Sequence, residues 1–138
     1  MKLNTDCIRD VLLYLEENLR IDNRIYAGIT LTTLQEKLSN YSSDDVFYTV
    51  DNLRQAGFID CQFGKITDGN FRHCSIYNIT YQGHQFLESI RPETIWKKTK
   101  SVISTVGVHA LSFIENVAHD VAVETSKQAI SVMFKQNP

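Results

Sequence analysis

Apolar residues recur every three or four positions near the start of the chain, and Ile8, Val11, Leu12, Leu15 and Leu19 share one helical face. Asn4 or Thr5 is placed to cap that helix, and Asp6 is favourable in its opening turn. The pattern fades at Arg20, after which Ile25 to Ile29 offers a short apolar piece suited to a single strand. Leu31, Leu34 and Leu38 form a second helical stripe, and Thr32 with Gln35 has the spacing of a capping box. Asn40-Tyr41 interrupts it. Ser42 or Ser43 then starts a third helix with Val46, Val50 and Leu53 on its apolar face and Phe47 beside them. Gly57 is positioned to close that helix in a left-handed conformation.

The pattern then changes to two strand-like runs. FIDCQFGKI and FRHCSIYNI flank Thr67-Asp68-Gly69-Asn70, whose Asp-Gly pair predicts a tight hairpin turn. Thr80 is placed to cap a helix carrying Phe86, Leu87 and Ile90, and Arg91-Pro92 ends one helix and opens another. Farther on, Leu111, Ile114, Ala118, Val121 and Thr125 step by three and four, with Val132 and Met133 extending the line. This predicts a long amphipathic helix with a break or kink before it at Gly107. Phe113, Val117 and Val123 fall off the main stripe, so the helix needs contact with its own domain and with a partner chain.

Helix, short strand, helix, helix, hairpin and further helices is the order of a winged helix-turn-helix. The expected fold is therefore α+β, mainly α, with a two-stranded wing and a C-terminal helical extension. The winged domain is expected over residues 1–91 and the extension over 92–138. The phrases LRQAGFI and ITYQGHQFL give this arrangement a resemblance to multiple-antibiotic-resistance-type and phenolic-acid-type regulators. A closer resemblance is carried by MKLNTDCIRDVLLYLEEN, YSSDDVFYTVDNLRQAGFI and ITYQGHQFLESIRPETIWKKTK. These blocks resemble a winged-helix family, a domain of unknown function found in bacteria and in their phages and prophages. The likeness spans about residues 1 to 100. Its blocks pair fold residues with less expected ones, among them Arg9-Asp10, Gly83-His84 and Trp96. The resemblance implies the fold and brings no catalytic or binding residues.

On this fold the third helix would read DNA, presenting Tyr48, Thr49, Asn52 and Gln55 to base edges or phosphates. Lys65 and Arg72, with His73, would sit on the wing, and Lys97, Lys98 and Lys100 beside Trp96 offer further phosphate contacts. The favoured reading of that motif is that Trp96 packs on the winged domain and leaves those lysines in solvent. The reading helix opens with Asp44 and Asp45, which suit its dipole and repel phosphate. The expected function is a DNA-binding transcriptional regulator that binds duplex DNA as a homodimer through the tail helix. The alternative is a protein-interaction module whose Asp44 and Asp45 face a basic partner. The sequence leaves open whether the tail dimerises or folds back on the domain.

Composition narrows these choices. The 138 residues carry a net charge of −2 and a pI near 6.0, so DNA binding has to come from a local patch. The three cysteines, Cys7, Cys61 and Cys74, lack metal-ligand spacing and are expected to be buried free thiols in a reducing cytoplasm. The four histidines are scattered, with His109 and His119 expected on different faces of the tail helix. There is no GxSxG, HExxH or glycine-rich phosphate loop. No enzyme activity, cofactor or metal is expected. MKLNTDCIRD does not have the form of a signal peptide, and no run of about 18 apolar residues occurs. Glu115, Asp120 and Glu124 give the tail the wrong charge for an anionic membrane surface.

Overall fold

Asn4 starts the fold by accepting a hydrogen bond from the Cys7 N–H at 3.1 Å, which caps α1 (Thr5–Asn18). Of the face read from the sequence, Ile8, Val11, Leu12 and Leu15 are fully buried together with Cys7, while Leu19 is half-buried at the helix end. These contacts belong to a computed structural model that describes residues 1–64 and 74–136.

The next segment differs from the single strand expected. Arg20–Asp22 (β1) and Ile25–Ala27 (β2) form a small antiparallel hairpin, and Ile29–Thr30 (β3) follows as a separate strand. Asn23 and Arg24 make the turn with φ of 48° and 66°, the paired left-handed geometry that suits a two-residue hairpin. Three-residue strands are too short to show an alternation, so the hairpin left no periodic signal.

α2 (Leu31–Lys37) begins two positions earlier than the Thr32/Gln35 spacing suggested. Thr30 is its cap, and the Thr30 hydroxyl accepts from the Thr33 N–H. Ser42 caps α3 (Ser43–Gln55) by accepting from the Asp45 N–H, and Gly57, at φ 76°, turns the chain out of it. β4 (Ile59–Phe63) and β5 (Cys74–Ile79) then pair antiparallel, and β3 adds to the other edge of β5, giving the order β3-β5-β4. The turn expected at Thr67-Asp68-Gly69-Asn70 lies outside the described residues.

Thr80 caps α4 (Tyr81–Ile90), and its hydroxyl also donates to the Gly57 carbonyl at 2.5 Å. Pro92 precedes α5 (Glu93–Val106), Gly107 ends it at φ 79°, and α6 (Leu111–Gln136) completes the chain. The described residues thus form a mainly helical α+β structure with six helices and two small antiparallel sheets. One core cluster runs from Leu3 to Ala118 and includes Trp96, Ile103, Leu111 and Ile114 from the last two helices.

The less expected residues of the sequence blocks act mostly as ties between elements. Arg9 donates from Nε to the Ile90 carbonyl at 2.9 Å and from Nη2 to the Arg91 carbonyl at 2.6 Å, capping α4 from α1. Asp10 accepts from the Tyr41 hydroxyl at 2.5 Å and so fixes the turn between α2 and α3. Trp96 is 2% exposed, and its indole N–H reaches Asp6 at 3.2 Å. Gly83 lies where α4 crosses the link between α3 and β4, with no room between it and the Phe58 backbone for a side chain.

The cysteines require a correction. Cys61 and Cys74 are joined as a disulfide across β4 and β5, and only Cys7 is free. β4 and β5 run in a register that pairs Cys61 with Ile76 and Phe63 with Cys74, which makes the two cysteines diagonal neighbours. Burial pushes the Cys7 thiol up to about 11, with the Thr49 hydroxyl acting the other way.

Two outcomes test this packing. Gly83→Ala forces a methyl group into the Phe58 carbonyl and should cost about 3 kcal/mol of stability in denaturant titration. A native chain should show no reactive thiol at pH 8. Unfolded without reductant it should show one, and with reductant three.

Candidate nucleic-acid interface

The candidate surface is built on α3, held at both ends. Tyr41 and Gln35 fix its start, Gln35 donating from Nε2 to the Ser43 carbonyl at 3.0 Å. The Gly57 turn fixes its end. Val46, Thr49, Val50 and Leu53 point into the core, and Cys7 of α1 lies 4.0 Å from the Asp45 carbonyl.

Thr49 was expected among the residues offered to DNA, and the structure corrects this. It is fully buried, with its hydroxyl beside the Cys7 thiol. The spacing Val46, Thr49, Val50, Leu53 is a single i, i+3, i+4, i+7 face, so the helix phase itself excludes Thr49 from the solvent side.

Asp44 and Gln55 are exposed, and Asp45, Tyr48 and Asn52 are partly exposed. Asn52 donates to the Tyr48 carbonyl at 2.8 Å, and Gln55 donates to Asp51 at 2.9 Å. Asp51 also pairs with Arg54 at 2.8 Å, and Arg54 lies over the Phe63 ring at 4.9 Å. The helix therefore carries Asp44, Asp45 and Asp51 against the single cation Arg54.

Tyr48 and Asn52 also form one wall of a cleft of about 460 Å³, whose other side comes from Lys2, Gly107, His109 and Leu111. The His109 Nδ1 is buried there without a hydrogen-bond partner among the described residues. His109 lies in the turn before α6 and not on the helix where it was expected. No local pattern announces this cleft, because it joins the two ends of the core to the middle of α3.

The other candidates separate. Lys97 and Lys98 are exposed on α5, whereas Lys100 is bonded to Asp6 at 3.0 Å and lies 5.9 Å from the Trp96 ring centre. Of the two readings of that motif, the packed tryptophan is the one observed. Lys65, Arg72 and His73 fall outside the described residues. His84 is exposed at the rim of a hollow of about 160 Å³ between the β1–β2 hairpin and α4. Among the described residues no group of three His, Cys, Asp or Glu side chains could hold a metal ion, and no helix is long and apolar enough to cross a membrane.

Residues 2–109 match the family model described as "Hypothetical protein (DUF2513)", and the chain belongs to that family. An uncharacterized protein of Haemophilus influenzae is 28% identical over 124 residues, covering 88% of this chain and 95% of the relative. No solved structure matches the chain.

Burial, followed by the hydrogen bond to Asp10, raises the Tyr41 pKa above its ordinary value. A raised folded-state pKa supplies stability that is present below the unfolded value, near 10, and lost as pH climbs beyond it. Tyr41→Phe should therefore lower stability at pH 7 and flatten its decline above about pH 10, read as chemical denaturation midpoints across that range.

Proposed function

We propose that this member of the family is a winged helix-turn-helix DNA-binding transcriptional regulator that acts as a homodimer. The observation that carries this reading is topological. α2, a short turn and α3 are followed directly by the β4–β5 hairpin, and β3 completes the sheet in the order β3-β5-β4. On such a frame α3 is the groove-reading helix and the hairpin is the wing. Tyr48, Asn52 and Gln55 would approach bases or phosphates, Lys97 and Lys98 would add cations, and Lys65 and Arg72 would act from the wing. Pairing of two copies would set the two reading helices about one DNA turn apart.

A second reading is favoured by the charge of α3. Asp44, Asp45 and Asp51 outnumber Arg54, which is already engaged with Asp51. A surface of that sign fits a basic protein partner, and the fold then serves as a non-enzymatic interaction module.

Binding to random-sequence duplex DNA separates the two. Counterion release predicts that affinity falls about a hundredfold or more between about 50 and 200 mM salt for a protein neutralising several phosphates. Asp44→Asn/Asp45→Asn should raise that affinity by removing two repulsive charges. Absence of binding at the lower salt sinks the DNA reading. Loss of binding to a polylysine probe in the same variant would then favour the acidic interaction face.

A further inference from the structure

We propose that the projecting half of α6 is the surface on which two copies of this chain pair, and that the two helices run antiparallel. The proposal rests on the homodimer in the reading above, and names its interface and direction.

α6 has two different halves. Leu111, Ile114 and Ala118 are buried in the core, and Val121 and Thr125 continue that side half-buried. From Ser126 to Lys135 every residue is exposed. That leaves about ten residues, or about 15 Å of helix, clear of the domain. An isolated stretch of that length is marginal in water and gains from a partner.

The exposed half carries its own apolar stripe. Val123, Ile130 and Phe134 are spaced i, i+7, i+11 and are 39%, 53% and 76% exposed, with Met133 at 65% beside them. At 100° per residue this stripe lies on the side opposite Ile114 and Ala118, so the helix cannot bury both against its own domain.

Charge identifies the occupant and its direction. Acidic Asp120 and Glu124 and basic Lys127 precede Ile130, the middle of the stripe, and basic Lys135 follows Phe134 at its end. None of the four takes part in an ion pair among the described residues. In a parallel pair each of these charges would meet its own copy. In an antiparallel pair that sets Val123 against the partner's Phe134, the partner's Lys135 falls level with Ala122, between Asp120 and Glu124. The apolar match and the match of Lys135 to the two acids thus occur in one register, in which Lys127 alone stays near its own copy. A second copy of the same helix, reversed, satisfies both.

The test uses the full chain without DNA, so its result is independent of whether the protein binds nucleic acid. Sedimentation should show a dimer at micromolar concentration. Val123→Cys and Phe134→Cys, each alone, should give no covalent dimer under mild oxidation, because like positions are separated by about 16 Å in the antiparallel pair. Mixed together they should cross-link. Lys135→Glu should raise the dimer dissociation constant about tenfold, and adding Asp120→Lys and Glu124→Lys to it should restore pairing. Circular dichroism on each variant confirms that the exposed substitutions leave the fold intact. Cross-linking of either single variant with itself would mean a parallel pair, and a monomer at all concentrations would leave this face to another protein. Either result overturns the proposal. DNA binding by such a monomer would leave the DNA-binding part of the regulator reading standing and remove its homodimer.

Discussion

The structure depends on the burial of α1 and on what the edges of that helix hold. Five residues of its apolar face are completely removed from water, and α1 packs against α3, α4 and β5. At about 1.5–3 kcal/mol per fully buried aliphatic side chain, that face is a substantial part of the core. The polar residues flanking it each fasten a different element. Asp6 takes the Trp96 indole and Lys100 of α5, Arg9 takes the last carbonyls of α4, Asp10 takes Tyr41, and Glu16 takes Arg91.

These ties are unequal. The bond from the Arg9 guanidinium to two backbone carbonyls satisfies groups that the end of α4 would otherwise leave open, and hydrogen bonds of a charged group are worth about 1.5–3 kcal/mol. The Arg9 contact to Glu93 is different, because Glu93 is 62% exposed and such surface pairs contribute at most about 1 kcal/mol. The first kind fixes where α5 starts and therefore where α6 leaves the domain. The orientation of the tail relative to α3 is thus set through α1, with no direct bond between the two required.

Most of the helices were legible in the sequence because each buries a stripe with a clear period and ends on a recognisable cap. Asn4, Ser42, Thr80, Gly57 and Gly107 all act where their chemistry suggested. The misses have physical causes. The β1–β2 hairpin is too short for periodicity, and its turn uses Arg24 at positive φ, a conformation that residue seldom signals. Thr49 looked polar and therefore exposed, although its spacing from Val46, Val50 and Leu53 places it in the core. The Cys61–Cys74 bond depends on strand register, which composition does not contain. Tyr48 and Asn52 were legible as residues of α3, but the turn that faces them comes from about sixty positions farther along the chain.

The acidic start of α3 would set stability against phosphate binding on one helix. Asp44 and Asp45 lie in its first turn, where each is worth about 0.3–1 kcal/mol against the helix dipole. Ser42 already supplies the capping hydrogen bond, so the helix does not depend on the two carboxylates to begin. Asn at both positions would keep most of the local structure while removing two charges from the surface. If α3 meets a partner, the two carboxylates set the sign of the surface it can accept. For a groove reader, their effect would be discrimination, since acidic groups weaken indiscriminate phosphate contact and leave binding more dependent on base edges. For an interaction module, it would be attraction to a basic surface. The sign of the effect on removing the two charges therefore carries more information about α3 than the loss of any neutral side chain along it.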